Sequence, residues 1–221
     1  MNTHNICLRS VLAGLMLSIL TAQDPFVIDT SLSSSLPQSI ANSIEIADVD
    51  NDGYNDIIMS GYDSTRFGLF IDVIKVNSQG ALTSGFSTNF ITYSDTIAEF
   101  SGGLGNLDLS DVDLDGSIDI YLNGSARSEL LMNSSSGQFS ESNWLQNMFV
   151  IHSNGKWGDV NMDGKPDLFL MGVKEPADNI LNELYLNTGT FLDEDPTTIF
   201  PALFTGSSAW GDYDNDGDPD L

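Results

Sequence analysis

Apolar residues along this chain fall in short runs punctuated by Gly, Asn, Asp and Ser, and no stretch of convincing length carries helical spacing. Ile57–Met59, Ile120–Leu122 and Leu168–Met171 are uninterrupted and rich in β-branched, aromatic and long aliphatic side chains. That is the signature of strands covered on both faces. Short strand-like stretches stand ahead of them at Ile44–Ile46 and Leu107–Leu109, and another lies at Ala209–Trp210. Further runs follow, at Phe67–Val76, Glu129–Asn133 and Glu183–Asn187. Each ends on or next to an Asn (Asn77, Asn133, Asn187) with Gly80, Gly137 or Gly189 shortly after, which signals a hairpin turn. The pattern predicts an all-β chain built from repeated four-strand units.

Between the first and second strands of each unit lies an acidic nonapeptide. Four of them align without gaps, at residues 48–56, 111–119, 159–167 and 212–220. A repeat of this long period reads as a stacked or radial architecture. The chain carries 32 acidic against 7 basic residues, a formal net charge of −25, and its Asp residues concentrate in these loops. This balance excludes nucleic acid, whose phosphates need clustered Lys and Arg, and docking on anionic lipid through a basic patch. Hydrophobic residues at 41% are too many for a disordered acidic polymer. Carboxylates packed this closely repel one another unless a cation lies among them.

Oxygen ligands at positions 1, 3 and 5, a backbone carbonyl at 7 and a carboxylate at 9 suit a hard ion of high coordination number, calcium rather than a metal that prefers His or Cys. The candidate ligands are Asp48, Asp50, Asp52, Tyr54 and Asp56 in the first loop and Asp111, Asp113, Asp115, Ser117 and Asp119 in the second. Those of the third are Asp159, Asn161, Asp163, Lys165 and Asp167, and of the fourth Asp212, Asp214, Asp216, Asp218 and Asp220. Tyr54, Ser117, Lys165 and Asp218 would contribute only their carbonyls. Asn161 offers an oxygen without the charge, so weaker binding is expected in the third loop. Gly53, Gly116, Gly164 and Gly217 allow the turn at position 6. An EF-hand would need Glu at position 12, where Met59, Leu122 and Leu170 stand instead. The residue ahead of each loop is small (Ala47, Ser110, Gly158, Gly211), which predicts close packing there.

Residues 1–22 read as a secretory leader: Arg9, the apolar run Val11–Leu17, and a short polar step before Gln23. Residues 23–39, with Ser33–Ser35, read as a flexible lead-in or a closing strand, and residues 40–221 as the repeats. No segment after the leader reaches transmembrane length. The only cysteine, Cys7, falls in the leader, so no disulfide framework is available. His152 lacks a nucleophile motif, and Trp157 and Trp210 sit at loop entrances and read as core. Asn123 and Asn133 begin glycosylation-like triplets that Ser-rich turns often produce. With the Asp clusters explained by metal ligation, no acid/base pair stands out and no catalytic residue is assigned.

At these residues the chain resembles the FG-GAP/VCBS repeat family, whose best-known members form the propeller of integrin alpha subunits. The likeness lies in the four Asp-rich loops, the apolar strand after each, a closing Gly at Gly61, Gly124 and Gly172, and the tails Asn133–Phe139 and Asn187–Phe191. It covers roughly residues 40–221. It implies a β-propeller with calcium on the loop carboxylates, here three complete blades and the opening of a fourth, as part of a longer protein. The expected function is a secreted or cell-surface calcium-binding scaffold for an extracellular protein or glycan ligand. The alternative is a propeller module of a secreted polysaccharide-degrading enzyme.

Overall fold

The computed structural model describes residues 6–9, 16–19, 40–63, 68–92, 106–123, 128–145, 150–174, 179–203 and 206–221. All regular structure among them is β, and no helix is long and apolar enough to cross a membrane. Inside the segment read as a leader, β1 (Ile6–Arg9) pairs antiparallel with β2 (Met16–Ile19). Residues 23–39 and the Gly124 expected to close a strand lie outside the described residues.

The repeat unit is a four-stranded antiparallel meander, as the run pattern predicts. The first sheet comprises β3 (Ile40–Ala47), β4 (Asp56–Asp63), β5 (Gly68–Val76) and β6 (Leu82–Thr92). The second comprises β7 (Asn106–Ser110), β8 (Asp119–Asn123), β9 (Glu129–Asn133) and β10 (Phe139–Glu141). The third comprises β11 (Val150–Gly158), β12 (Asp167–Lys174), β13 (Asn179–Asn187) and β14 (Leu192–Glu194). These are three propeller blades, each with its acidic loop between the first two strands. The fourth loop is closed by a single bridge between Gly211 and Asp220, so the strand expected at Ala209–Trp210 is not formed among the described residues.

Alternation within the second strand of each blade assigns its side chains to two different cores. In β8, Ile120 and Leu122 join Val49, Ile58 and Ile71 between the first and second blades. Tyr121 points the other way and joins Leu168, Leu170 and Leu181 between the second and third. All five β8 residues are buried, which explains why its run is apolar without alternation. Burial contributes on the order of 1.5–3 kcal/mol for each such side chain. The core therefore lies between blades, and each blade supplies half of two cores.

Close backbone approach seals these layers. A Cβ on Gly155 would lie 2.4 Å from the Tyr121 ring, and one on Gly158 would lie 2.7 Å from Trp210. The small residue ahead of the third loop is thus required, whereas a Cβ on Gly211 would meet nothing within 4 Å. Trp157 packs edge-on against Tyr121 at 5.7 Å between ring centroids, and Trp210 lies edge-on to Phe169 at 6.4 Å. His152 falls in a β-bulge of β11. Across the first strands, Lys156 pairs with Asp108 at 2.7 Å, and the Trp157 amide donates to the same carboxylate at 2.8 Å.

A second tie between blades comes from asparagine. Asn133 Nδ2 donates to the carbonyl of Val49 in the preceding blade's loop at 2.7 Å and to Ile118 in its own at 3.0 Å. Asn187 repeats the contact one blade on, donating to Val112 at 2.8 Å and Pro166 at 3.0 Å. The equivalent position in β5 is Val76, whose amide makes the same backbone contact as those of Asn133 and Asn187 but whose side chain cannot donate. Asn133 is 4% exposed and Asn123 0%, so both side chains are buried in the fold and unavailable there to a glycan.

The asparagine tie is testable. Asn187→Ala leaves two carbonyls without their donor and is expected to cost roughly 1–3 kcal/mol in urea unfolding. Thr190→Ala, on the exposed turn beside it, should stay within about 0.5 kcal/mol of the parent. Equal stability of the two variants would remove the asparagine from the blade interface.

Candidate metal centres

Each acidic loop is wound by its own carboxylates. The first Asp accepts the amides of positions 5 and 6: Asp48 from Asp52 and Gly53 at 3.0 and 2.8 Å, and Asp111 from Asp115 and Gly116 at 3.0 and 2.9 Å. Asp159 and Asp212 make the same pair of contacts. Position 5 accepts the amide of position 7: Asp52 from Tyr54, Asp115 from Ser117, Asp163 from Lys165 and Asp216 from Asp218. The result is a tight coil with positive φ at position 6, from +85° to +94° in the four glycines. Position 4 also has positive φ, at Asn51, Leu114, Met162 and Asn215. Asn tolerates that region, but Leu and Met do so at a cost of roughly 1–2 kcal/mol each. The two Asn residues were a legible signal for this second left-handed position; Leu114 and Met162 carried none.

Position 9 has a role that its residue type alone does not disclose. Asp119 is 1% exposed and accepts the amide of Val112 at 2.9 Å on one oxygen and that of Asn133 at 2.8 Å on the other. Asp167 does the same with Val160 and Asn187, and Asp56 with Val49 and Val76. Asp220 accepts from Tyr213 at 2.7 Å. The carboxylate expected only as a ligand is therefore also the strut between loop and third strand.

In three loops the acids converge. One oxygen each from Asp48, Asp50 and Asp56, from Asp111, Asp113 and Asp115, and from Asp212, Asp214 and Asp220 lie within 4.8 Å of one another. Among the described residues the third loop gathers no such trio, since Asn161 stands at its third position. One atom makes the fit to a cation concrete: Asp50 Oδ1 is buried without a hydrogen-bond partner. At position 7 of the second loop Ser117 is buried, 0% exposed. Tyr54 and Asp218, at the same position in other loops, are exposed. The donor set is oxygen throughout, which matches a hard cation.

The electrostatics carry the same message. Burial pushes the Asp119 carboxyl up to about 6, against two backbone amides that pull it down. Burial also raises Asp56 and Asp167, and raises Asp113 with help from Asp115 and Asp111. Asp218 is raised by its hydrogen bond with Asp216 and by that group's charge. Asp163 runs the other way, because the Lys165 ammonium beside it holds its carboxyl below the ordinary range. Without a cation these loops hold charge that the fold penalises.

A cleft of about 670 Å³ adjoins the second and third loops, lined among others by Asp108, Lys156, Trp157, Ser208 and Trp210. Its polar groups are largely engaged: Trp210 Nε1 donates to the Lys156 carbonyl at 3.2 Å, and the Ser208 hydroxyl pairs with Asn154 at 2.9 Å. Burial raises the Glu45 carboxyl of the first blade, with Lys156 opposing the shift and Asp108 adding to it.

The FG-GAP-like repeat model matches residues 111–170 and 159–221, two overlapping spans that each begin on the first Asp of a loop. No curated protein matches the chain. Among solved structures, the chain is similar to an Agrocybe aegerita lectin from work on specific recognition of non-reducing terminal N-acetylglucosamine. That likeness has 12% identity and a TM-score of 0.38, over 92% of this chain and 68% of the lectin. With two copies of the repeat matched and three meander blades built around its loops, the chain belongs to the FG-GAP-like repeat family.

Proposed function

We propose that this chain is a secreted or cell-surface propeller scaffold whose blades are clipped by calcium and which binds an extracellular protein or glycan. The observation that carries the reading is the buried, unpartnered Oδ1 of Asp50, an acid that belongs to a convergent trio of carboxylates. A buried polar atom without a partner costs free energy, and an acidic coil of oxygen donors is what a calcium ion satisfies. The ion would be held by the carboxylates at positions 1, 3, 5 and 9 with the carbonyl at 7, and would supply the positive charge that the loop lacks. Stiffened loops then hold the blade ends and the cleft between them in one geometry for a partner. The acids of positions 1, 5 and 9 are committed to winding and tying the loop, which favours a binding scaffold over acid/base chemistry at these sites.

Melting the chain in millimolar calcium and again in excess chelator tests this. An ion held at a hundred times its dissociation constant contributes about 2.7 kcal/mol per site, and a chain of this size gains roughly 2–4 °C per kcal/mol. Chelation should lower Tm by several degrees or more, with recovery in calcium and not in magnesium, and Asp111→Ala should shrink the difference. An unchanged melt would sink the calcium reading.

The metal-free chain should also respond to pH. Asp119 has a folded pKa raised to about 6, so the folded state binds its proton more tightly than the unfolded state does. The contribution is fully present below the ordinary carboxylate value and is lost as pH rises through about 6. In chelator, Tm should therefore rise as pH falls from about 7.5 to 5, and Asp119→Asn should flatten that rise. A Tm that falls over the same interval would contradict the assignment.

A further inference from the structure

The four loops differ in how their charge is met. In the first, Lys75 reaches across from β5 and places its ammonium 2.9 Å from Asp50 Oδ2. The same nitrogen donates to the Ser136 carbonyl of the second blade at 3.2 Å. Its stem runs through a slot walled by two glycines. A Cβ on Gly85 would lie 3.1 Å from Lys75 Cγ, and one on Gly137 would lie 3.0 Å from Nζ. Gly137 sits at φ +67°, a conformation side chains rarely adopt. The side chain is thus held by backbone on both sides and is only 25% exposed. Asp50 is left with one oxygen on the ammonium and the other, Oδ1, buried and unpaired.

The third loop has its own ammonium, since Lys165 at position 7 pairs with Asp163 at position 5. It also has one charge fewer, through Asn161. Among the described residues, no ammonium or guanidinium pairs with the acids of the second or fourth loop. Calcium affinity in oxygen sites is set by ligand charge count and rigidity. A fixed positive charge one carboxylate away from a divalent ion works against binding in any dielectric.

We propose that Lys75 and Lys165 divide the loops into two calcium classes, with weaker, lysine-compensated sites in the first and third loops and tighter, uncompensated sites in the second and fourth. The proposal rests on the calcium reading above. Lys75 acts as a positioning residue: it holds Oδ2 of Asp50, leaves Oδ1 without a partner, and lowers the charge the ion meets. The first and third loops therefore keep their shape without metal and load last, while the second and fourth loops need the ion to relieve their repulsion.

Isothermal titration of the full chain with calcium tests the division. The parent should show two tight and two weak sites. Lys75→Met should tighten one weak site about tenfold, and Asp48→Ala in the same chain should abolish that tightened site. Lys165→Met, on a half-exposed loop away from the glycine slot, makes the same test on the third loop without disturbing the blade contact. A parent whose sites fit one class, or two lysine variants that both leave every site unchanged or weaker, would overturn the proposal. A parent that binds no calcium at all would instead overturn the calcium reading beneath it.

Discussion

A buried carboxylate that accepts two backbone amides holds each unit of this fold together. Asp119 joins the second residue of its loop, Val112, to the last residue of the third strand, Asn133, and Asp56 and Asp167 repeat the arrangement. Loop, second strand and third strand are thereby tied at one point. Removing such a carboxylate from water is unfavourable, which is why burial raises all three above the ordinary range. The amides offset part of that cost, and they do so with groups that the turn would otherwise leave unpaired.

From this strut the ties run outward. The residue whose amide meets Asp119 is Asn133, and its side chain reaches back to Val49 in the preceding loop. Asn187 links the next pair of loops in the same way. One asparagine therefore touches the buried Asp of its own loop and the backbone of its neighbour's. Between the loops lie the apolar cores, split by the alternation of Tyr121 against Ile120 and Leu122. Most of the acids cluster at the loop end of each blade and the apolar layers run along the strands, with Asp72 and Glu129 buried among the strands as exceptions.

The acids at positions 1, 3 and 5 divide their work between backbone and cation. Asp48 and its equivalents wind the coil by accepting two amides each, while Asp50 leaves one oxygen unpaired and buried. Where a lysine stands close, at Lys75 and Lys165, part of the charge is already met by the chain itself. Where none does, the carboxylates of the second and fourth loops face one another alone. The repeat is uniform in its motif and unequal in its surroundings.

Much of this was legible in the residues. Short apolar runs after each acidic nonapeptide announced buried second strands, and Asn–Gly punctuation announced the hairpins at Asn77–Gly80 and beyond. The concentration of Asp with Gly at position 6 announced oxygen-rich coils. These features are local, governed by strand periodicity, turn conformation and repulsion within nine residues, so the chain's own order expresses them. What lay beyond reach was every contact that joins distant segments: Lys75 against Asp50 and Ser136, Asn133 against Val49, Trp210 against Gly158. The strand-like stretch at Ala209–Trp210 formed no strand, and only Gly211 beside it bridges to Asp220, because pairing depends on a neighbour and not on the run alone. The sequence by itself determined the repeat, its strands and the chemistry of its loops. The tertiary structure alone decided which loop receives an ammonium and which acid is buried, since those depend on where the packing of one blade carries the side chains of the next.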